Sequence, residues 1–272
     1  MKIEEVLNEA RKKLIENNIE DAGIIARVLL QFVLKCDRNK FVLIQGNTID
    51  EGIIEQYKQL INKIIEGIPL QYITNNQEFY SLDFYVDENV LIPQPDTEIL
   101  VEEVLKIAKD NNAKQILDIC TGSGCIGISL AKNLKNVKIT LSDVSQRALE
   151  IAKKNARNNN VMENIEIIKS NMFENIKEKY DIIVSNPPYI ETNTIETLSS
   201  QVKNEPYLAL DGGKDGLKFY KILIEEAPKY LKDDGYLCME IGYNQKDSII
   251  NLLQGMNIFS KFQTNKDLCR KW

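Results

Sequence analysis

The chain has 272 residues, 43% of them hydrophobic, with a formal charge of −6 and no histidine, so it can bury a full core in one large domain and a small one. The charge argues against a large electrostatic footprint on DNA or RNA, and the missing histidine excludes every mechanism that needs an imidazole base or ligand. The five cysteines form no CxxC pair, which argues against zinc and disulfides. No apolar stretch approaches the ~18 residues of a membrane span, and residues 1–5 are acidic and amphipathic, unlike a signal peptide. We therefore expect a cytoplasmic protein.

Apolar residues recur at helical spacing from residue 1 to about residue 75. The stripes are Ile3, Val6, Leu7, Ala10 and Leu14, then Ile24, Ile25, Val28, Leu29 and Phe32, then Ile53, Ile54, Tyr57, Leu60, Ile61, Ile64 and Ile65. Since the outer faces are charged, the stripes predict a small helical domain over residues 1–75, whose core they form. Only its leftover surface is free to recognise a partner.

A two-residue period replaces the helical one at residues 77–92. Its apolar positions precede the turn-like Asp87-Glu88-Asn89, and the run Val90-Leu91-Ile92 follows. This pattern predicts a β-hairpin that turns near residues 87–89 and links two domains over residues 76–95. A helix is expected to start at residues 96–98.

From about residue 114 the pattern alternates between strand and helix, which predicts an α/β domain over residues 96–272 with a mainly parallel sheet covered on both faces. The predicted strands are 115–120, 138–143, 165–170, 180–185, 235–241 and 259–264. The predicted helices are 126–134, 146–158, 217–231 and 246–253.

Glycines follow the first predicted strand with the spacing GxGxxG, at Gly122, Gly124 and Gly127. Asp143 ends the next strand, close to the ~20-residue interval at which an acidic side chain takes ribose hydroxyls. A nicotinamide cofactor and S-adenosylmethionine both carry such a ribose, and both need the close approach that glycine permits. Asp118 favours S-adenosylmethionine, because a carboxylate in the turn suits an ammonium and a sulfonium and would repel a pyrophosphate. A tight turn without a ligand is the plain alternative.

Asn186-Pro187-Pro188-Tyr189 follows the fourth strand directly. Proline biases the residue before it toward extended backbone, so the Asn186 side chain can point out of the strand end. Both prolines lack an N–H, so carbonyl acceptors meet little donor competition, while Asn186 adds an acceptor and Tyr189 an aromatic face. The segment suits a planar NH2 group, either an amide or an aromatic amine. A Pro-rich turn at a strand end is the alternative.

Both segments fall at the carboxyl ends of parallel strands, where ligands bind in such sheets. A sulfonium methyl donor at the first two strands would face an NH2 nitrogen held at the fourth, and the methyl would transfer by in-line displacement. Because the lone pair of an amide nitrogen is delocalised, catalysis would rest on orientation, carbonyl acceptors and exclusion of water. The proton can leave to solvent after methylation, so no histidine is needed.

With these residues the chain resembles the glutamine methyltransferases that modify peptide chain release factors. The similar segments are 69–73, 90–98, 121–124, 185–190, 205–206 and 209–217. The resemblance implies a class I (Rossmann-like) methyltransferase fold and an N-terminal helical domain that helps recognise the release factor. It also implies methylation of the side-chain amide of the glutamine in the Gly-Gly-Gln motif during translation termination, with S-adenosylmethionine as donor and S-adenosylhomocysteine as product.

The resemblance also assigns roles by position. Thr121 to Gly124 would contact the methionyl part of the cofactor, Asp143 the ribose and Met172 the adenine. Asn186 and the Pro187 carbonyl would hold the substrate amide, with Tyr189 packed on it. The candidates for cofactor binding are Asp118, Cys120, Thr121, Gly122, Ser123, Gly124, Asp143, Asn171, Met172 and Asn186; those for substrate binding are Asn186, Pro187, Pro188 and Tyr189, of which Asn186, Pro187 and Tyr189 are the catalytic candidates. Class 1 release factors are the expected partners of a monomer, with no metal, membrane or direct nucleic-acid partner.

Three residues depart from the family pattern. Cys120 stands where the first glycine of the turn is usual, Gln94 where arginine is usual, and Met172 where some members carry an aromatic residue. None of these changes removes a group that the mechanism uses, and Met172 still allows apolar packing on adenine. Residues 265–272 resemble the approach to a last strand that then stops, so we expect that strand to be short or absent and to leave an exposed sheet edge.

Three alternatives remain open. A methyltransferase of DNA adenine or cytosine would hold an exocyclic amine in the same clamp, which is the segment Asn186-Pro187-Pro188-Tyr189. The acidic charge and the lack of an added basic domain argue against it. A ribosomal-protein glutamine methyltransferase would share nearly every motif. An inactive cofactor-binding scaffold would predict a broken clamp or a lost ribose acid, and the sequence has neither.

Overall fold

The computed structural model describes residues 1–256 and 259–265. The chain divides into two compact units, one formed by residues 1–75 with 199–204 and the other by residues 76–198 with the chain from Glu205 onward. Within the described ranges, no helix has both the length and the apolar character needed to cross a membrane.

The first unit is helical, as the apolar stripes predict. Its helices are α1 (Ile3–Glu16), α2 (Ala22–Leu34), α3 (Arg38–Ile44), α4 (Glu51–Ile65) and α5 (Leu70–Thr74). Asp50 caps α4, because its side chain accepts the Gly52 N–H at 2.8 Å. Most residues of the stripes meet in one buried cluster, where the Tyr57 hydroxyl donates to the Ala26 carbonyl at 2.8 Å. Ile24 and Phe32, which were predicted in the core, are instead 51% and 43% exposed, so the prediction was wrong for these two.

The second unit is an α/β layer structure. Its elements up to the fourth strand of the main sheet are β1 (Gln77–Phe79), β2 (Leu82–Phe84), α6 (Thr97–Asp110), β3 (Gln115–Ile119), α7 (Cys125–Asn133), β4 (Lys138–Asp143), α8 (Gln146–Asn158), a 3-10 turn (Met162–Asn164), β5 (Ile165–Lys169) and β6 (Tyr180–Ser185). They continue with α9 (Thr192–Ile195), α11 (Tyr207–Leu210), α12 (Lys218–Tyr230), β7 (Leu231–Met239) and α13 (Lys246–Met256). Helix α10 (Ser200–Lys203), between α9 and α11, belongs to the first unit.

Strands β3 to β7 form the predicted parallel sheet, in the order β5-β4-β3-β6-β7. The chain builds outward from β3 through β4 and β5, then returns to the other side of β3 with β6 and β7. The strand order therefore switches between β3 and β6, and the carboxyl ends of these two neighbours form the place where such a sheet binds ligands.

Both faces of this sheet are buried. Ile116, Ile182 and Val184 pack in one cluster with residues of α6, α7 and α8. Leu117 and Ile183 pack in another cluster with residues of α12. Burial on both faces explains why the strands have continuous apolar sequences rather than an alternating pattern.

The hairpin is shorter than predicted and turns elsewhere. β1 and β2 pair antiparallel with Phe79 opposite Leu82, and the turn residues Tyr80 and Ser81 have φ angles of +51° and +58°. Residues 90–92 form no strand, so the hairpin does not turn at residues 87–89 as predicted. A turn does lie there, because Val90 N donates to the Asp87 carbonyl at 3.2 Å. Phe79 and Phe84 are fully buried in the core of the second unit, so the hairpin packs as part of that unit.

The strand predicted at residues 259–264 was also wrong, since residues 259–265 have no strand. The expectation of a short or absent last strand was made for residues 265–272, of which residues 266–272 lie outside the described residues. In the described part, β7 is an edge of the sheet.

Candidate active site

The turn after β3 places three residues in the left-handed region. Their φ angles are +61° at Cys120, +54° at Gly122 and +83° at Gly124. Glycine adopts such angles freely, whereas the β-carbon of Cys120 crowds the backbone, so Cys120 is the strained member of the turn. Gly127 acts differently, because a β-carbon there would collide with the Leu141 side chain, and its absence lets α7 pack against β4.

Asp118 braces this turn from the protein interior. It is fully buried, and its Oδ2 accepts the Thr121 hydroxyl at 2.6 Å and the Gly127 N–H at 3.0 Å. Burial raises the pKa of its carboxyl to about 7, although these two hydrogen bonds lower it. These contacts give Asp118 a structural role in the turn, and its contact with the ammonium of a ligand stays a prediction.

Asp143 lies at the end of β4 beside the same turn. Its Oδ2 accepts the Gly122 N–H and its Oδ1 accepts the Ser145 N–H, both at 2.9 Å. Burial raises the pKa of this carboxyl, and the backbone hydrogen bonds lower it. Each oxygen keeps a further lone pair, so this fixed carboxylate can accept a pair of hydroxyl groups.

Asn186 leaves β6 next to the turn that leaves β3. The Ser185 hydroxyl donates to the Ile119 carbonyl at 2.7 Å and ties the two strand ends together. The Nδ2 of Asn186 donates to Thr97 Oγ1 at 3.1 Å. This bond uses the donor end of the Asn186 amide, and the acceptor end, Oδ1, is the one that a site for an NH2 group requires.

A cavity of about 320 Å³ brings the two predicted segments together. The predicted residues that line it are Cys120, Thr121, Gly122, Ser123, Asp143, Met172, Asn186 and Pro188. Its volume lies within the roughly 300–1,000 Å³ of small-molecule sites. One cavity therefore contains both the glycine turn and the clamp residue.

The other predicted residues are outside the cavity lining. They are Asp118, Gly124, Asn171, Pro187 and Tyr189. Asn171 is exposed, and its Nδ2 donates to Glu174 Oε1 at 2.7 Å; its contact with the cofactor stays a prediction. Pro187 is buried and Tyr189 half-buried.

Two further segments line the cavity, and the sequence did not assign them to the site. The first supplies Leu91, Pro93, Gln94 and Thr97, and the second supplies Pro206, Tyr207, Leu208 and Ala209. Glu205 joins them, because its Oε2 accepts the Ile92 N–H at 2.9 Å. Both segments fall largely within the sequences that resemble the methyltransferase family, and this was the signal that could have identified them.

Residues 209–217 support the backbone that follows Asn186. Ile190 N donates to the Leu210 carbonyl at 3.0 Å, and Gly212 N donates to the Ile190 carbonyl at 2.8 Å. A β-carbon at Gly212 would lie 2.7 Å from Tyr189 Cα, and Gln245 Nε2 donates to the Tyr189 carbonyl at 2.9 Å. The glycines of this segment therefore permit a close approach that fixes Tyr189.

Models of two protein families match the chain. The PrmC N-terminal domain matches residues 5–74, and the Methyltransferase small domain matches residues 94–212.

The chain is also similar to whole proteins. A release factor glutamine methyltransferase of Clostridium acetobutylicum is 40% identical over 274 residues, which cover 99% of this chain and 96% of the relative. A release factor glutamine methyltransferase of Clostridium botulinum is 41% identical over 275 residues, covering 100% and 97%. Among solved structures, the catalytic domain of hMettl16 in complex with MAT2A 3'UTR hairpin 6 has a TM-score of 0.55 at 18% identity, covering 73% of this chain and 77% of that chain; at this identity the likeness shows the fold alone.

Proposed function

Because the chain belongs to the release factor glutamine methyltransferase family, we propose that it methylates a glutamine side-chain amide in class 1 peptide chain release factors. The glutamine is that of the Gly-Gly-Gln motif, and S-adenosylmethionine is the donor. The chain is a methyltransferase with a parallel class I sheet. The proposed reaction belongs to translation termination, which assigns the enzyme to the cytoplasm. The helical unit of residues 1–75 is the proposed recognition domain.

One observation carries the proposal. The glycine turn after β3 and Asn186 after β6 line the same cavity, at the switch point of the sheet. A methyl donor and an NH2 acceptor must occupy adjacent positions for in-line transfer. The cavity brings a surface suited to each of them within one site.

The residues around the glycine turn fit S-adenosylmethionine. A β-carbon at Gly122 would meet nothing within 4 Å, so the turn presents its backbone to open space in the cavity lining. Asp143 offers a carboxylate held by two backbone N–H groups for the ribose hydroxyls. Met172 is 7% exposed and gives an apolar wall for the adenine. The cofactor, when bound, supplies an electrophilic methyl group on a positively charged sulfur.

The clamp residues would orient the substrate amide. Asn186 Oδ1 would accept one N–H of the substrate glutamine and the Pro187 carbonyl the other, while Tyr189 packs on the amide plane. Two acceptors at the edge fix the nitrogen in place and draw electron density toward it. The buried prolines offer no competing N–H donor.

The chain's residues need to move few protons in this reaction. The nitrogen keeps its protons until the methyl has arrived, and the product nitrogen is then acidic enough to lose one to solvent. The cavity lining is largely apolar, with Leu91, Pro93, Ile126 and Phe219 among its side chains, and such a lining limits competing attack by water.

Labelled S-adenosylmethionine tests the proposal. Intact release factor should take up label, whereas its Gly-Gly-Gln→Gly-Gly-Ala variant should not, because the acceptor amide is gone. Equal labelling of both proteins would contradict the proposal. Ribosomal protein and DNA serve as further arms of the same assay, and labelling of either one in place of the release factor would identify the substrate class instead.

A further inference from the structure

A half-buried carboxylate lies beside Asn186, at the end of the neighbouring strand. Ser185 pairs with Met239 in parallel register, and Glu240 N continues the ladder by donating to the Ser185 carbonyl at 3.0 Å. Asn186 and Glu240 therefore leave the sheet side by side. The Tyr220 hydroxyl donates to the Glu240 carbonyl at 3.0 Å, so the Glu240 backbone is fixed from two directions.

Among residues 1–256 and 259–265, no cation lies within ion-pair distance of this carboxylate. Its Oε2 is buried with no hydrogen-bond partner in those residues. Burial raises the pKa of Glu240, a hydrogen bond with Thr97 lowers it, Asp96 raises it by repulsion and a hydrogen bond with Asn186 lowers it. Because Oε2 has no partner among the described residues, part of the cost of burying this carboxylate is not offset, and its presence requires an explanation.

Thr97 links this carboxylate to the clamp. Asn186 Nδ2 donates to Thr97 Oγ1, which occupies one lone pair of that oxygen. A hydroxyl has a single proton to give, and an ionised carboxylate can only accept. Thr97 can therefore accept a hydrogen bond from Asn186 Nδ2 and donate its own hydroxyl proton to Glu240 at the same time. In this arrangement each hydrogen bond is donated toward the Glu240 carboxylate.

We propose that Glu240 is a positioning residue for methyl transfer, which together with Thr97 holds the Asn186 amide with Nδ2 turned to Thr97 and Oδ1 turned to the substrate amide. The proposal rests on the proposed function. Asn186 and Thr97 line the cavity and Glu240 does not, so Glu240 acts through them. A reversed Asn186 amide would present N–H donors to a substrate NH2 group that also donates, and the substrate nitrogen would not be held.

Glu240→Gln tests this role with nearly unchanged shape. The new NH2 group can donate to Thr97, whose hydroxyl is then free to donate to Asn186 Oδ1 and reverse the amide. We expect kcat for release factor methylation to fall about tenfold or more, since misplaced reacting groups cost up to about a hundredfold. The affinity for S-adenosylmethionine, measured by calorimetry, should stay within about twofold of wild type.

Glu225→Gln, an exposed change on α12, is the matched control and should keep the wild-type kcat. A folded Glu240→Gln variant with wild-type kcat, or one whose loss follows weaker cofactor binding, would overturn the proposal.

Two variants of Thr97 provide a test that does not depend on how Glu240→Gln folds. Thr97→Val removes the hydroxyl and should lower kcat, whereas Thr97→Ser restores the hydroxyl and should recover most of the loss. In the double variant Glu240→Gln/Thr97→Val, the loss in kcat should be smaller than the product of the two single losses, because both changes act on the same Asn186 amide. Multiplied losses, or equal kcat values for the Ser and Val variants, would contradict the proposal.

Nuclear magnetic resonance of the Asn186 side-chain amide separates this proposal from the proposed function. In the wild-type enzyme and in Glu225→Gln, one Nδ2 proton should show the chemical shift and slow solvent exchange of a hydrogen bond to Thr97, and Glu240→Gln should lose both signs. An unchanged Asn186 signal in Glu240→Gln would reject the role of Glu240. Failure of the wild-type enzyme to label a release factor would reject the proposed function, while the amide signal would still decide the role of Glu240.

Discussion

Ile92 donates its backbone N–H to the buried carboxyl group of Glu205 at 2.9 Å, across 113 positions of sequence. Leu91 and Pro93 line the cavity on one side of this bond, and Pro206 lines it on the other. A single hydrogen bond therefore joins two walls of the site that have no local sequence relationship.

The burial of Glu205 predicts a pH dependence of stability. Burial raises the pKa of Glu205 from 4.5 to about 7, and the Ile92 hydrogen bond lowers it. The folded protein then binds more protons than the unfolded chain between these pH values, so the free energy of unfolding falls as pH rises through this window. The contribution is complete below pH 4.5 and lost above about pH 7.

Glu205→Gln keeps an acceptor for Ile92 and removes the titration. Thermal unfolding measured from pH 5 to pH 8 should therefore show a smaller decline in Tm for the variant than for wild type. Asp118, whose pKa is also about 7, accounts for a decline that remains. Glu225→Gln controls for the loss of one charge at an exposed position, and equal slopes for Glu205→Gln and wild type would contradict the prediction.

Asn186→Ala should separate cofactor binding from turnover. Its amide serves the substrate in the proposed site, so turnover should fall by about 10²-fold, the effect of removing one such polar group. Calorimetry with S-adenosylmethionine should give an affinity close to wild type. Lost cofactor affinity would instead place Asn186 in the cofactor site.

The sequence predicted the sheet and the meeting of the two motifs, for a physical reason. Strands buried on both faces have long apolar runs, and parallel strands bring their carboxyl ends to one edge, so the order of the elements along the chain places Gly122 and Asn186 at the same edge. That β3 and β6 are neighbours there is given by the strand order of the structure. The hairpin turn was missed because Tyr80 and Ser81 adopt positive φ angles without the glycine or asparagine that usually indicates such a turn.

The directions of individual side chains were not predictable in the same way. Asp118 and Asn171 carry suitable polar groups at suitable positions, yet Asp118 bonds to Thr121 and Asn171 bonds to Glu174. Residues 206–209 line the cavity next to Glu205, which accepts a hydrogen bond from Ile92, 113 residues earlier. A local sequence pattern cannot predict a contact over such a separation.

Gly212→Ala should disturb the clamp at the backbone of Tyr189, its last residue. The new methyl group would lie 2.7 Å from both Cα and the carbonyl carbon of Tyr189, and backbone atoms cannot rotate away. We expect a loss of about 1–3 kcal/mol in the free energy of unfolding, the usual cost of overpacking, together with lower turnover. Urea denaturation and the labelling assay measure the two effects.

Gly255→Ala is the matched control for that change. A β-carbon there meets nothing within 4 Å, and the residue lies in α13, so alanine should keep or slightly raise stability. Equal stabilities for Gly212→Ala and Gly255→Ala would show that Tyr189 is not packed against Gly212.

Cys120 is the residue at which this chain departs from the family's first glycine, and its backbone allows a test of the strain. Its φ of +61° costs a residue with a β-carbon about 1–2 kcal/mol relative to glycine, while the side chain packs with its Sγ 3.9 Å from Met172 Sδ. Cys120→Ala loses the sulfur contact and keeps the strained β-carbon, whereas Cys120→Gly loses both. The free energy of unfolding from urea denaturation should therefore be higher for Cys120→Gly than for Cys120→Ala by about 1 kcal/mol, the lower end of that range because glycine also gains entropy in the unfolded chain. At an unstrained position the order of the two variants is reversed, so a more stable Cys120→Ala would show that the turn imposes no strain on Cys120.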